Sequence, residues 1–119
     1  MNKQLTFLLL FSGSSGVFGD DYQDGWDAYE RQDYKTAYKL WLPLAEQGDA
    51  KAQYNLGVRY YNGQGIPQDY VLAHMWFNLS SSQGITTAIK VRNIVEKKMT
   101  PQQIEKAKEM ARNWKPTSK

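Results

Sequence analysis

Few side chains in this sequence are of a kind that does chemistry, and their spacing gathers no set of them. His74 is the one histidine. A metal site needs at least two further ligands at suitable spacing, and no such pattern surrounds it. Ser80, Ser81 and Ser82 fall in the last turn of a helix. A serine nucleophile needs a base and an oxyanion hole, and the sequence holds no Ser-x-x-Lys, Gly-x-Ser-x-Gly or His-Asp arrangement. Glu105 and Glu109 stand four apart on a lysine-rich helix, where surface ion pairing is the expected use. The loop containing Gly63 and Gly65 follows no strand and precedes no Lys-Ser/Thr pair, so it is not a phosphate cradle. These readings assign no catalytic, cofactor-binding or metal-ligating residue, and no cofactor. They predict a protein that is not an enzyme.

The elements that would have to position a site are all helical. Apolar residues recur at three- and four-residue spacing throughout, and strand signals are nearly absent. The pattern predicts helices over residues 22–31, 34–47, 50–61, 70–82 and 87–98, and a last one from Pro101. Asp33 and Asp69 stand where N-caps are needed. Pro43 falls inside the second helix and predicts a kink or loosening there. Asn62-Gly63-Gln64-Gly65-Ile66-Pro67 is a strong break. Thr100-Pro101-Gln102-Gln103 is a capping-box pattern with proline at the first helical position. Beyond it, Ile104, Ala107, Ala111 and Trp114 form one stripe. The chain has 119 residues, no cysteine and 16 aromatics. That is one small domain, with apolar bulk enough for a thin core and no disulfide or thiolate site.

A phrase then repeats. Gln32-Asp33-Tyr34, Ala37 and Gln47-Gly48 return 36 residues later as Gln68-Asp69-Tyr70, Ala73 and Gln83-Gly84, and Ala52 and Ala88 keep the register. A period of this length marks stacked supersecondary units. Each unit would be two antiparallel helices that hide their remaining face against the next. The prediction is an all-α fold, a short α-α superhelix (solenoid) of five to six antiparallel helices.

The residues from Ala52-Gln53-Tyr54-Asn55-Leu56-Gly57 through Tyr60, Gly63, Gly65, Asp69, Ala73 and Trp76 to Gly84 resemble one complete Sel-1-like repeat. That family is related to the tetratricopeptide solenoids. The preceding stretch resembles a degenerate repeat with a shortened loop: Gly25 answers to Gly57 and Tyr29 to Tyr61, at an offset of 32 rather than 36. The domain reading is therefore a signal peptide over 1–19, a degenerate repeat over 20–48, a complete repeat over 49–84, capping helices over 85–115 and a tail over 116–119. The resemblance implies a non-catalytic protein-interaction scaffold. Cysteine-rich relatives have been linked to penicillin binding or hydrolysis, but this chain lacks their paired cysteines.

Lys3, the apolar run over 5–11 and the Ser/Gly-rich stretch to Gly19 have the form of a signal peptide cut after Gly19. The expectation is a secreted protein of the bacterial periplasm, with no integral membrane segment in the mature chain. Residues 20–50 carry a net charge of −5 and residues 51–119 one of +7. That suggests a polarised surface, with the basic last helix as a possible partner face; no nucleic-acid motif is present. On the third helix Ala52, Leu56 and Tyr60 are assigned inward, so Tyr54, Asn55, Arg59 and Tyr61 become the expected partner-binding residues. The partner is expected to be another protein or peptide, with Arg59 as anchor. Replacing Arg59 by Glu is then expected to spare the fold and weaken capture. The alternative functions are an envelope hydrolase acting on peptidoglycan or β-lactams, and a self-associating structural subunit.

Overall fold

The computed structural model describes residues 19–117. The expected signal peptide lies, but for Gly19, outside the described residues. Within them are six helices and no strand: α1 (Gly19–Glu30), α2 (Tyr34–Glu46), α3 (Ala50–Asn62), α4 (Tyr70–Ser82), α5 (Thr86–Glu96) and α6 (Pro101–Asn113). Neighbours in sequence pack together from α1 to α5, and α6 turns back to lie along α4. This is the all-helical solenoid that the repeat implied.

The helix boundaries follow from local chemistry. The Asp33 carboxylate accepts from the Thr36 amide, and the Asp69 carboxylate accepts from the Leu72 amide. Thr100 and Gln103 exchange both bonds of a capping box, and Pro101 costs nothing at N1 because its missing N–H had no helical partner. α2 and α4 end alike: the amides of Gly48 and Asp49 donate to Ala45 and Leu44, and those of Gly84 and Ile85 to Ser81 and Ser80. Gly48 and Gly84 take φ of 107° and 99° there. α1 ends by the same bonding pattern with Gln32 at the left-handed position, φ 62°. A side chain at such a φ costs about 1–2 kcal/mol, which the shared helix ending imposes. Gly65 permits a close approach, since a Cβ there would lie 2.6 Å from the Tyr34 carbonyl carbon.

Pro43 does not break α2, which continues to Glu46. The residue is exposed and one turn from the helix end, and its own carbonyl still accepts from the Gln47 amide. The missing N–H therefore removes one hydrogen bond on the solvent side and leaves the buried stripe of Ala37, Trp41, Leu44 and Ala45 intact.

The helix pairs are held by an aromatic ring set against a glycine. A Cβ on Gly57 would lie 2.5 Å from Phe77 Cε1, and a Cβ on Gly25 would lie 2.6 Å from Trp41 Cδ1. Equivalent tyrosines pack on the same two rings, Tyr22 stacked and Tyr54 tilted. The Tyr22 and Trp41 centroids are 5.9 Å apart and those of Tyr54 and Phe77 are 5.6 Å apart. The third equivalent position is Asn93 on α5, and it is exposed. Neither partner of the pair is repeated, since the residue 36 after Phe77 is Asn113. α6 lays Met110, Ala111 and Trp114 on the α2–α4 side of the core and buries Ala107. Trp114 meets Trp76 edge-on at 6.4 Å, and the Thr117 amide donates to the Glu46 carbonyl at 2.8 Å.

Alanine normally favours a helix over glycine by about 1 kcal/mol. Gly25→Ala and Gly57→Ala should nevertheless both lower the melting temperature by several degrees, because each new methyl meets a ring. Asn93→Ala should leave it unchanged or slightly raised. Thermal unfolding followed by circular dichroism compares the three.

Candidate interaction surfaces

The structure corrects the expected partner site. Tyr54 and Asn55 are 0% exposed, Arg59 1% and Tyr61 5%. α3 lies between the first unit and α4–α5, so nearly its whole circumference is covered, and the inner face is not confined to Ala52, Leu56 and Tyr60. Tyr60 is in fact the more open of these, being half-buried.

Each of the four residues has a structural partner. The Asn55 amide donates to the Tyr22 hydroxyl at 2.8 Å. Tyr54 packs on Phe77, and Tyr61 on Tyr70 at 5.4 Å. The Arg59 guanidinium sits 4.7 Å over the Tyr29 ring, with Tyr34 at 5.7 Å and Trp41 at 6.0 Å. Its Nε donates to Gln64 Oε1 at 3.0 Å. The group thus bridges the first unit and the glycine loop. Burial lowers its pKa to about 10, so it remains charged at neutral pH. Three ring faces attract that charge in place of a carboxylate.

The repeat register explains the polarity of these contacts. Counting 36 residues on, Asn55 becomes Val91 and Arg59 becomes Val95. At these positions the second junction is accordingly apolar, with Tyr54, Val58, Phe77, Val91 and Val95 in one cluster. With Val91 in place of Asn55, the Tyr54 hydroxyl has no hydrogen-bond partner among the described residues, and burial pushes its pKa up to about 12.

A second correspondence runs through the same register. The Tyr38 and Tyr60 hydroxyls meet at 2.9 Å. Their equivalents 36 residues on are His74 and Glu96, which meet at 2.8 Å between Nε2 and Oε2. A carboxylate only accepts, so Nε2 carries the proton and Nδ1 is left buried without a partner. One turn along, Arg92 donates to Asn78 Oδ1 at 3.0 Å, where the first junction has Leu42 and Leu56. His74 is therefore a polar rung between α4 and α5. The serine hydroxyls are likewise committed: Ser80 donates to the Ala50 carbonyl, Ser81 to Asn78 and Ser82 to Leu79. Glu105 pairs with Arg112 at 3.4 Å on the exposed side of α6. Among the described residues no group of three His, Cys, Asp or Glu side chains is placed to hold a metal ion, and no helix is long and apolar enough to cross a membrane.

The duplication finds its counterpart among known proteins. The Sel1 repeat pattern matches residues 13–49 and again residues 50–85. The chain belongs to the Sel1 repeat family. It also resembles the crystal structure of a protective antigen present in uropathogenic Escherichia coli strains, which displays an SLR fold. The TM-score is 0.73 at 32% identity, over 79% of this chain and 21% of the other. The chain thus spans about a fifth of that protein's length. Sel1 repeat proteins are generally interaction scaffolds and typically non-catalytic.

In Sel1 terms α1–α2 and α3–α4 are the two repeats, and α5 supplies one further helix whose far side carries no partner among the described residues. The positions answering to Tyr54, Gly57, Val58 and Tyr61 are Lys90, Asn93, Ile94 and Lys97 there. Lys90, Asn93 and Lys97 are exposed. The basic last helix expected as a partner face presents Lys106, Lys108 and Arg112 to solvent, with Glu105 and Glu109 among them.

Two outcomes follow from the buried groups. Arg59→Glu should unfold the protein, because it puts a carboxylate against three ring faces; Arg59→Met should retain a folded, less stable chain. Chemical denaturation distinguishes them. Burial holds the His74 pKa below its ordinary 6.5, against the pull of Glu96. The folded state therefore binds fewer protons than the unfolded one below pH 6.5, so this contribution is present above 6.5 and is lost as pH falls through the depressed pKa. The melting temperature should fall from pH 7.5 to pH 5.5 in the wild type, and less steeply in His74→Gln.

Proposed function

We propose that the chain is an exported scaffold that binds another protein and carries out no reaction of its own. The observation that supports this best is the use made of its reactive side chains. His74 is bound to Glu96, three serine hydroxyls are bound to main-chain carbonyls, and Arg59 is enclosed by Tyr29, Tyr34 and Trp41. Each holds one helix to another or to its own last turn, and none converges on a shared cleft. The general role of Sel1 repeats as interaction scaffolds agrees with this reading.

With α3 buried, the binding surface moves outward. We assign it to the solvent face of α6, where Lys106, Lys108 and Arg112 are exposed. Helix α6 stands outside the two repeats, so its outer face is free to vary without disturbing the stack. The leader over residues 1–19 would direct the chain through the inner membrane of a bacterium and leave Asp20 as the mature N-terminus.

Photocrosslinking from position 106 in the intact envelope tests this. The expected result is an adduct of defined mass with one protein, abolished by Lys108→Glu with Arg112→Glu. Absence of any adduct from this face would remove it as the site. Hydrolysis of a β-lactam or of peptidoglycan by the purified chain would favour the enzymatic alternative.

A further inference from the structure

The two ends of the stack are the faces that would meet each other in a longer solenoid. In the interior, α3 shows what such faces look like. Its forward side, Tyr54, Gly57, Val58 and Tyr61, receives α4 and α5. Its backward side, Asn55, Leu56 and Arg59, receives α1 and α2. The forward side of α5 carries Lys90, Asn93, Ile94 and Lys97 in the same places. No helix seats there, because α6 packs on α4. Beside it stands Ile89, 40% exposed although the equivalent Gln53 is fully buried. The backward side of α1 carries Gln23, Asp24 and Asp27 where α3 has Asn55, Leu56 and Arg59, flanked by Asp21. Asp21, Asp24 and Asp27 are exposed. Among the described residues, none of these acids or lysines has an ion-pair partner within the chain.

Charged terminal faces normally keep a solenoid from growing. Two ends of the same sign would repel other copies as well. Here the ends have opposite signs, and each carries its charge on the side that stacking would bring against the other. We propose that copies of this chain associate head to tail, the Lys90–Ile94–Lys97 face of α5 in one copy meeting the Asp21–Asp24–Asp27 face of α1 in the next. Such a contact is heterologous and does not close on itself, so it gives open, concentration-dependent chains in place of a fixed dimer. Its attraction is between exposed charges and is screened by salt. The inference goes beyond partner capture by α6, and a strictly monomeric chain would overturn it while leaving that reading standing.

Light scattering across a concentration series, at low and at high ionic strength, tests the proposal. At low salt the mass average should climb by about twofold or more with concentration, without a plateau at the dimer, and should return to the monomer at about 1 M salt. Lys90→Glu with Lys97→Glu gives a chain acidic at both ends; Asp24→Lys with Asp27→Lys gives one basic at both ends. Each alone should be monomeric and folded by circular dichroism, and mixing the two should restore association. The proposal is overturned by a wild type that stays monomeric at low salt, by a mass that stops at two copies, by charge variants that still associate alone, or by a mixture that does not.

Discussion

An aromatic ring laid against a glycine fixes the spacing of both helix pairs, and most of the architecture depends on that contact. Trp41 on Gly25 and Phe77 on Gly57 bring the two helices of each unit closer than any Cβ would allow. The ring then becomes a platform: Tyr22 and Tyr54 pack on it from the same helix as the glycine. Once the pair is closed, its outer side presents Tyr29 or Tyr61, Ala37 or Ala73, and the next helix seats there through Ala52 or Ala88. Where the glycine is replaced by Asn93 the device stops. α6 then takes the remaining apolar surface along α4, and its own tail is tied to the end of α2 through Thr117.

Within that geometry the junctions accept very different chemistry at equivalent positions. Arg59 and Asn55 stand where Val95 and Val91 stand one unit later, and Tyr38–Tyr60 becomes His74–Glu96. A cation enclosed by ring faces and a pair of valines fill the same space. The exchange leaves a trace in the orphaned Tyr54 hydroxyl, whose counterpart Tyr22 has Asn55 as a donor. The repeated element is therefore the shape of the contact, and polarity is free to vary provided a partner is supplied for most of the polar atoms.

Much of this was legible in the sequence. The echo around Gln32-Asp33-Tyr34 and Gln68-Asp69-Tyr70 gave the stack, and the caps at Asp33, Asp69 and Thr100 were readable because a cap is made by residues three positions apart. The partner residues were not. A hydrophobic stripe predicts one buried face, and α3 has two neighbours, so Tyr54, Asn55, Arg59 and Tyr61, which lie off the Ala52–Leu56–Tyr60 stripe, are expected at the surface although all four are buried. The cue that would have corrected this was present in the register, since Val91 and Val95 occupy the matching places on α5. A kink or loosening is expected at Pro43 because sequence shows the lost N–H but not that it faces water near a helix end. The stripe of α6 is visible, but nothing local says that it packs on α4.

Ring and glycine act as one unit, and a double-mutant cycle on Gly57→Ala and Phe77→Leu measures this most directly. With Phe77 present the added methyl should destabilise; with leucine in its place the methyl has room, and most of that cost should vanish, giving a coupling energy above about 1 kcal/mol. Destabilisations that add to within about 0.5 kcal/mol would show that Gly57 and Phe77 are independent and would contradict the account.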